Sequence, residues 1–449
     1  MTLQYFIQFI NMANYKLLIY LAALSRVHAT VTPGGLATIS TAVDVNSQAG
    51  WWNPLDEYGG YDWLAYLRNP PGGSIANNNV MVARRSISDG TISRDCVKTS
   101  AGQCAVFADD LGHNTPSIAV DGDGYVHVFT SMHNEPWQYF RSATPYSSTL
   151  VDASSEMPDP TVKVTYPVIK RDADGNLWLM IRGQAPNDNN AKGGYLYKYT
   201  ISQGSWSRVA IWAYNKGYSV YPDDIAFSSD GDVHLQWEWS KYPASAVRHQ
   251  GSYVRYNPST KAFTSASGAT VSVPITQNSA DIVYQPLTSG ETYSGDINAS
   301  PGPAFQSAKM ALYERPDGSV HIQHAYRFKT SNAGVWQIRR ATATYGTQDP
   351  WKREILYQDS ETSAALGITH DGTSARIYYC RSSASAYVLE NVGGAGWTNT
   401  ALEPVVGKKV QRLQALMKND GTDVLYLGSP TNVNSTTGSL YLMTVGGRG

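Results

Sequence analysis

The sequence predicts an all-β fold, a seven-bladed β-propeller. The first observation is a repeat. Six stretches read alike: Asp121–Phe129, Asp172–Met180, Ser229–Gln236, Arg315–Ile322, His370–Ile377 and Asn419–Tyr426. Each sets an Asp-Gly turn, or a close variant of it, before alternating apolar residues, the signature of a β-hairpin. The second observation is spacing. The turn glycines are Gly124, Gly175, Gly231, Gly318, Gly372 and Gly421, mostly about fifty residues apart, the length of a four-stranded blade. The third is the absence of any useful helical period beyond the N-terminal leader. Six visible motifs and one blade from the N-terminal region give seven. The last strand, Ser439-Leu-Tyr-Leu-Met-Thr444, is placed to close the ring with an early strand.

In chain order, residues 1–29 read as a signal peptide. Lys16 precedes the apolar run Leu17–Leu24, and Val27-His-Ala29 offers a cleavage site. That run is too short to span a bilayer. Residues 30–449 are then expected to form one secreted domain. Residues 30–75 show no clear period, and strands are expected from about Val80 onward. Cys96 and Cys104 are placed to close a small loop disulfide, which leaves Cys380 over. The low-charge stretch Ser265–Ser300 reads as a loop or insertion between blades. Asn298-Ala-Ser and Asn434-Ser-Thr are glycosylation acceptors.

Composition narrows the function. The 449 residues carry a formal charge of -1, with 16% charged residues. No basic excess points to nucleic acid or to an anionic membrane, and a monomer is expected. Thirty tyrosines and twelve tryptophans suit strands, and also suit sugar binding, where flat rings pack on C–H faces.

The hairpin geometry says where the chemistry lies. The turn is one end of each hairpin, so the start of its first strand and the end of its second meet at the other. In a propeller those open ends share a face. They collect His113, Asn114, His133, Tyr166, Arg182, Tyr221, Glu238 and Arg327. A proline recurs there (Pro116, Pro167, Pro222), read as the first residue of its strand. His127, His234 and His321 each follow the turn glycine by three residues, and Trp178 takes that place in the second motif. A position that repeats with the blade reads as structural. His113 and His133 break the repeat and read as functional. His249 and His370 have no informative context.

A His, a Tyr and an Arg around a cleft suit proton abstraction beside a carboxylate. Arg182 has the planar donor fork that would hold a uronate carboxylate, and a His or Tyr would then take the C5 proton. A hydrolase would instead need two carboxylates, for which Glu238, Asp223 and Asp224 are the candidates. Ser229-Asp-Gly-Asp lacks the form of a sialidase box, and no phosphate loop or His-Glu-x-x-His motif is present.

The run Gly112-His-Asn-Thr-Pro-Ser-Ile-Ala-Val-Asp-Gly-Asp-Gly-Tyr-Val-His-Val-Phe129, with Met132-His-Asn134 and Tyr139-Phe-Arg-Ser142, resembles the BNR-repeat propeller lyases. These include ulvan lyases and secreted fungal rhamnose–glucuronate lyases. The resemblance implies β-elimination at a rhamnose-(1→4)-glucuronate linkage. It implies catalytic roles for His113, His133, Tyr166 and Arg182, and a substrate role for Tyr221, with Tyr218 as rival. Asn114, Glu238 and Arg327 are expected around the substrate. No cofactor is expected for the chemistry, and the family allows a structural metal ion, calcium or zinc, with unassigned ligands. The expected partner is a uronate-containing polysaccharide, rhamnose-capped glucuronate of arabinogalactan first and ulvan second. A non-catalytic sugar-binding propeller is the alternative of another class.

Overall fold

The computed structural model describes residues 32–44, 47, 50–70, 77–108, 113–243, 248–284, 304–329, 335–348, 350–358, 362–381, 385–430 and 438–446. The expected signal peptide and both glycosylation acceptors lie outside these residues. The described chain is all-β. It contains five four-stranded sheets, one eleven-stranded sheet and three 3-10 turns. The larger sheet joins two further antiparallel meanders through a single parallel pair, Lys192 with Ser219.

The first strands of the meanders are Leu55–Tyr58, Ser117–Val120, Val164–Arg171, Tyr218–Phe227, Ala304–Glu314, Thr362–His370 and Arg412–Met417. Each packs on the next, and Arg412–Met417 packs on Leu55–Tyr58. The circuit is therefore continuous. It is tied where the two ends of the described chain meet, because Thr32–Ser40 pairs antiparallel with Gly438–Gly446. The expected pairing of the last strand with an early one is present.

Apolar burial between neighbouring sheets holds the circuit. One cluster takes Trp178 and Trp212 from one meander and Trp237 and Trp239 from the next. Another joins Trp63 and Val80 to Ile118 and Val128. Strands covered on both faces lose the alternation of a half-exposed strand. A correction follows: described strands are present from Thr32, well before Val80, and burial explains why one of them was missed. Tyr61–Arg68 is buried at six consecutive positions, so no period of two marks it. Ser265–Ser300 is also not plain loop, since Thr270–Val271 and Asp281–Tyr284 are strands within it.

The repeat is a turn with an internal strut. All six turn glycines have φ between 80 and 89°, a region costly for residues with a Cβ. In four of the six the side chain three residues later reaches back to the turn; Ala375 and Val424 hold that place in the other two. His127 bonds Asp121 Oδ2 at 3.1 Å and the Tyr139 hydroxyl at 2.7 Å. His234 bonds Ser228 Oγ at 3.2 Å and the Tyr253 hydroxyl at 2.6 Å. Trp178 Nε1 donates to Asp172 Oδ2 at 2.8 Å, and His321 bonds Ser319 and Thr344. The structural reading of these positions holds. Neighbouring turns also dock: the Gly122 amide donates to the Gly175 carbonyl at 2.9 Å. A Cβ on Gly175 would lie 2.6 Å from Gly122 Cα, so the backbones meet only as glycines.

Cys96 and Cys104 form the expected disulfide, and Cys380 is buried. The recurrent prolines need a second correction. Pro116 precedes its strand, but Pro167 and Pro222 lie inside theirs, at or beside a register shift. A bulge tolerates the missing N–H as well as a strand start does.

Replacing His127 with Leu strands the buried Asp121 and Tyr139 groups. Urea unfolding should show a loss of about 1–3 kcal/mol. Stability should also fall on acidification. Burial lowers the pKa of His234 from 6.5 to about 3, so the folded protein refuses a proton that the unfolded chain accepts. The unfolded state then binds more protons, and stability declines as pH falls from about 6.5 towards 3. His234→Gln should flatten that decline in urea titrations across the window, and an unchanged slope would remove His234 as its source.

Candidate active site

The hairpin Ser117–Val120/Val126–Phe129 opens toward the next meander. After Phe129 the chain must bend to reach its neighbour, and two non-glycine residues adopt positive φ: Ser131 at 54° and Asn134 at 59°. The bend lets His133–Glu135 pair with Val164–Arg171, where His133 lies opposite Thr165. The Asn134 amide donates to Thr165 Oγ1 at 2.8 Å and fixes that contact.

His133 is thereby stacked on His113. The ring centroids are 3.7 Å apart and the planes differ by 3°. Both imidazoles are half-buried. The extra residue in Val164–Arg171 falls at Tyr166-Pro167, between the pairs Thr165–Arg182 and Val168–Met180. Tyr166 takes φ 56° there, a strained region for a bulky side chain. The bulge re-aims the ring, and its hydroxyl meets His113 Nε2 at 2.8 Å.

Arg182 completes the group. Its guanidinium carbon lies 4.6 Å from the Tyr166 centroid and 5.0 Å from that of Tyr221. Arg182 is only 5% exposed. Its Nε has no hydrogen-bond partner among the described residues. A buried guanidinium held by ring faces keeps its planar fork available for an anion. Tyr166 and Tyr221 are themselves 5.1 Å apart.

Two residues here carried no signal in the sequence. Trp52 packs against Tyr166 at 5.3 Å and His113 at 6.3 Å, and Trp51 lies 5.6 Å from Tyr166 and 6.2 Å from Tyr221. Their rings meet the two tyrosines in tilted contacts and form a separate cluster, in which Trp52, Tyr166 and Tyr221 are buried and Trp51 is half-buried. The two tryptophans come from the aperiodic N-terminal stretch, where the only cue was richness in Trp and Tyr.

The other candidates are placed differently. Asn114 is fully buried and donates to Asn78 Oδ1 at 3.1 Å, while Asn78 donates to Asp44. Glu238 is fully buried opposite Tyr221. Asp224 accepts from the Met310 amide at 2.9 Å and pairs with Lys170 at 2.6 Å. Asp223, Asp224 and Glu238 are all close enough to favour the charged form of Lys309, although burial outweighs them and lowers its pKa. Arg327 stacks on Trp336 at 3.6 Å, and burial lowers its pKa to about 9. Tyr218 lies near Trp239, at 6.2 Å, so Tyr221 is the tyrosine beside Arg182.

Among the described residues, no three His, Cys, Asp or Glu side chains converge as metal ligands. Cys96 and Cys104 are joined to each other, and Cys380 lies in an apolar cluster.

The profile of the BNR repeat-containing family matches residues 61–344, which span the whole cluster except the two tryptophans. The chain belongs to the BNR repeat-containing family. No curated protein matches the sequence. Among solved structures it is similar to an ulvan lyase of family PL25 bound to -[GlcA(1-4)Rha3S]-. The TM-score is 0.61 at 14% identity, over 91% of this chain and 95% of that one. It is similar also to the polysaccharide lyase Uly1, with a TM-score of 0.59 at 14% identity, over 91% of this chain and 99% of that one. These likenesses establish a shared propeller-like all-β fold.

The strain at Tyr166 predicts an inverted ranking. Elsewhere Gly is about 0.5–1 kcal/mol worse than Ala. At a left-handed φ the Cβ costs about 1–2 kcal/mol. Tyr166→Gly should therefore unfold at higher urea than Tyr166→Ala. The opposite order would mean that the bulge relaxes once the ring is gone.

Proposed function

We propose that the protein is a secreted polysaccharide lyase, built as a seven-bladed propeller, that cleaves rhamnose-(1→4)-glucuronate linkages by β-elimination. One observation carries the reading. A stacked histidine pair is hydrogen-bonded to a tyrosine, and a buried arginine with donors to spare lies over that tyrosine's ring. This couples a proton-handling group to a carboxylate holder. The first-strand circuit supports the blade count, and the Cys96–Cys104 disulfide is consistent with an oxidising compartment.

In this reading Arg182 takes the uronate carboxylate in its fork and offsets the charge that develops on it as C5 loses its proton. The hydrogen-bonded pair Tyr166 and His113 handles the proton removed from C5 and the proton delivered to O4. The C5–H electron pair becomes the C4–C5 double bond, and the C4–O4 bond breaks. Rhamnose leaves with O4, and glucuronate keeps the new double bond. His133 positions His113 through the stack. Tyr221 and Trp51 give the sugar ring its flat wall.

Hydrolysis fits the geometry less well. Asp224 is taken by Lys170 and the Met310 amide, and Asp223 and Glu238 are fully buried beside Lys309. The preferred substrate is rhamnose-capped glucuronate of arabinogalactan. Ulvan is the second reading, favoured by the fold shared with an ulvan lyase.

Incubation with gum arabic and with ulvan should generate the absorbance of an unsaturated uronate. No oxygen from labelled water should enter at the cleaved linkage. Labelled oxygen in the product would mark a hydrolase instead. His113→Ala and His133→Ala should each lose most turnover while melting near wild type, and near-normal rates in both would remove the pair from the mechanism. Arg182→Lys keeps the charge but not the fork, so kcat/KM should fall by about tenfold or more, equivalent to 1.4 kcal/mol. If that variant and wild type discriminate methyl-esterified from free uronate equally, Arg182 is not the carboxylate holder.

A further inference from the structure

Two hollows lie side by side at the turn ends of the strands, where Arg315, Gly372 and Gly393 stand in turns. The first encloses about 510 Å³, and its lining includes His321, Thr344 and Lys352. The second encloses about 390 Å³, and its lining includes His370, Thr373 and Asn391. Tyr313, Arg315, Gln323 and Arg340 form the wall they share. Tyr313 is sandwiched between two imidazoles, His321 at 4.7 Å and His370 at 3.8 Å, with planes within 14° and 8° of its own. Burial lowers the pKa of His370 to about 4, so that ring is neutral at ordinary pH.

The charged side chains in the described lining are cations. Among the described residues, neither hollow is lined by an Asp or Glu. Two nearby acids are ion-paired, Glu354 with Arg340 at 2.9 Å and Asp371 with Arg376 at 2.6 Å, while Asp317 accepts from Ser319 and interacts with Arg315 across the turn. Arg315 and Lys352 are exposed and in no ion pair among the described residues. Cations, flat rings, amides and hydroxyls around an open double hollow match a sugar chain carrying acidic groups. The hairpin open ends hold the His113–Tyr166 cluster, so this site faces a different part of the molecule.

We propose that the double hollow is a second carbohydrate site, which holds an anionic oligosaccharide apart from the reacting linkage. The polysaccharide reading above supplies only the choice of probe.

The test is calorimetric titration of His113→Ala protein, which would not consume its ligand, with glucuronate-bearing oligosaccharides from gum arabic. Sulfated ulvan fragments and neutral arabinogalactan fragments are parallel arms. The expected result is two binding events for one or both acidic probes and none at the hollow for the neutral one. Adding Arg315→Ala and Lys352→Ala should remove one event or weaken it at least tenfold, leave the other, and keep the melting temperature. In the otherwise native chain the same pair of changes should leave rates on short substrates unaltered and raise KM on the polymer. Whichever acidic probe binds identifies the group recognised, carboxylate or sulfate. A single event before the changes, equal binding of the neutral probe, or two undiminished events after them would overturn the proposal. A chain that binds at the hollow yet yields no unsaturated product would sink the lyase reading alone.

Discussion

The pairing of Thr32–Ser40 with Gly438–Gly446 is the constraint on which the other geometry depends. An open sheet edge is costly and prone to wrong partners. Here the edge left by the C-terminal hairpin is covered by the earliest described strand. The closure keeps Arg412–Met417 against Leu55–Tyr58 and so completes the circuit of first strands. Trp51 and Trp52 directly precede Leu55–Tyr58, and Gln414 of the last meander donates to Asn53 beside them. The two tryptophans reach Tyr166 because the ends of the described chain are tied together. The aromatic wall of the site is therefore a consequence of closure.

Within that frame, the site is made by departures from regular strand structure. A regular strand would send Tyr166 and Arg182 to positions set by a period of two. The bulge at Tyr166-Pro167 shifts the register, and positive φ at Ser131, Asn134 and Tyr166 turns three short segments toward one another. Each of these costs free energy that packing elsewhere must offset. The arrangement that results is a stack 3.7 Å deep bonded to a phenol under a guanidinium.

Much of this was legible in the sequence, and the legible part has a common cause. Asp-Gly turns announce themselves because glycine takes the φ of 80–89° they need without a Cβ penalty, so all six hairpins were located by their glycines. His113 and His133 stood out because they broke a repeat. Tyr166 and Arg182 followed from hairpin register. Trp51 and Trp52 were invisible because they lie in a bend ahead of Leu55–Tyr58, where no strand period marks them, and the contact that recruits them crosses more than a hundred residues of chain. The surroundings of Asn114 and Arg327 were not legible. Proximity to an open end was visible, but a neighbour of each side chain, Asn78 in one case and Trp336 in the other, comes from a distant or aperiodic segment and was not.

The molecule uses one residue type for opposite ends of its hairpins, and burial decides which role it plays. At the turn end, His127 and His234 are fully enclosed, bonded at both nitrogens, and shifted toward the neutral form by desolvation. Such a ring is a strut, since a proton would cost the fold its stability. At the open end, His113 and His133 are half-buried, and one face of each is spent on the other. Stacking orients the pair without enclosing it, so both rings stay within reach of solvent and of a ligand. A repeat protein can rebuild its strut in blade after blade, because that role needs only local partners. Among the described residues the open-end pair arises once, because it needs a bend after one hairpin to meet a bulge in the next.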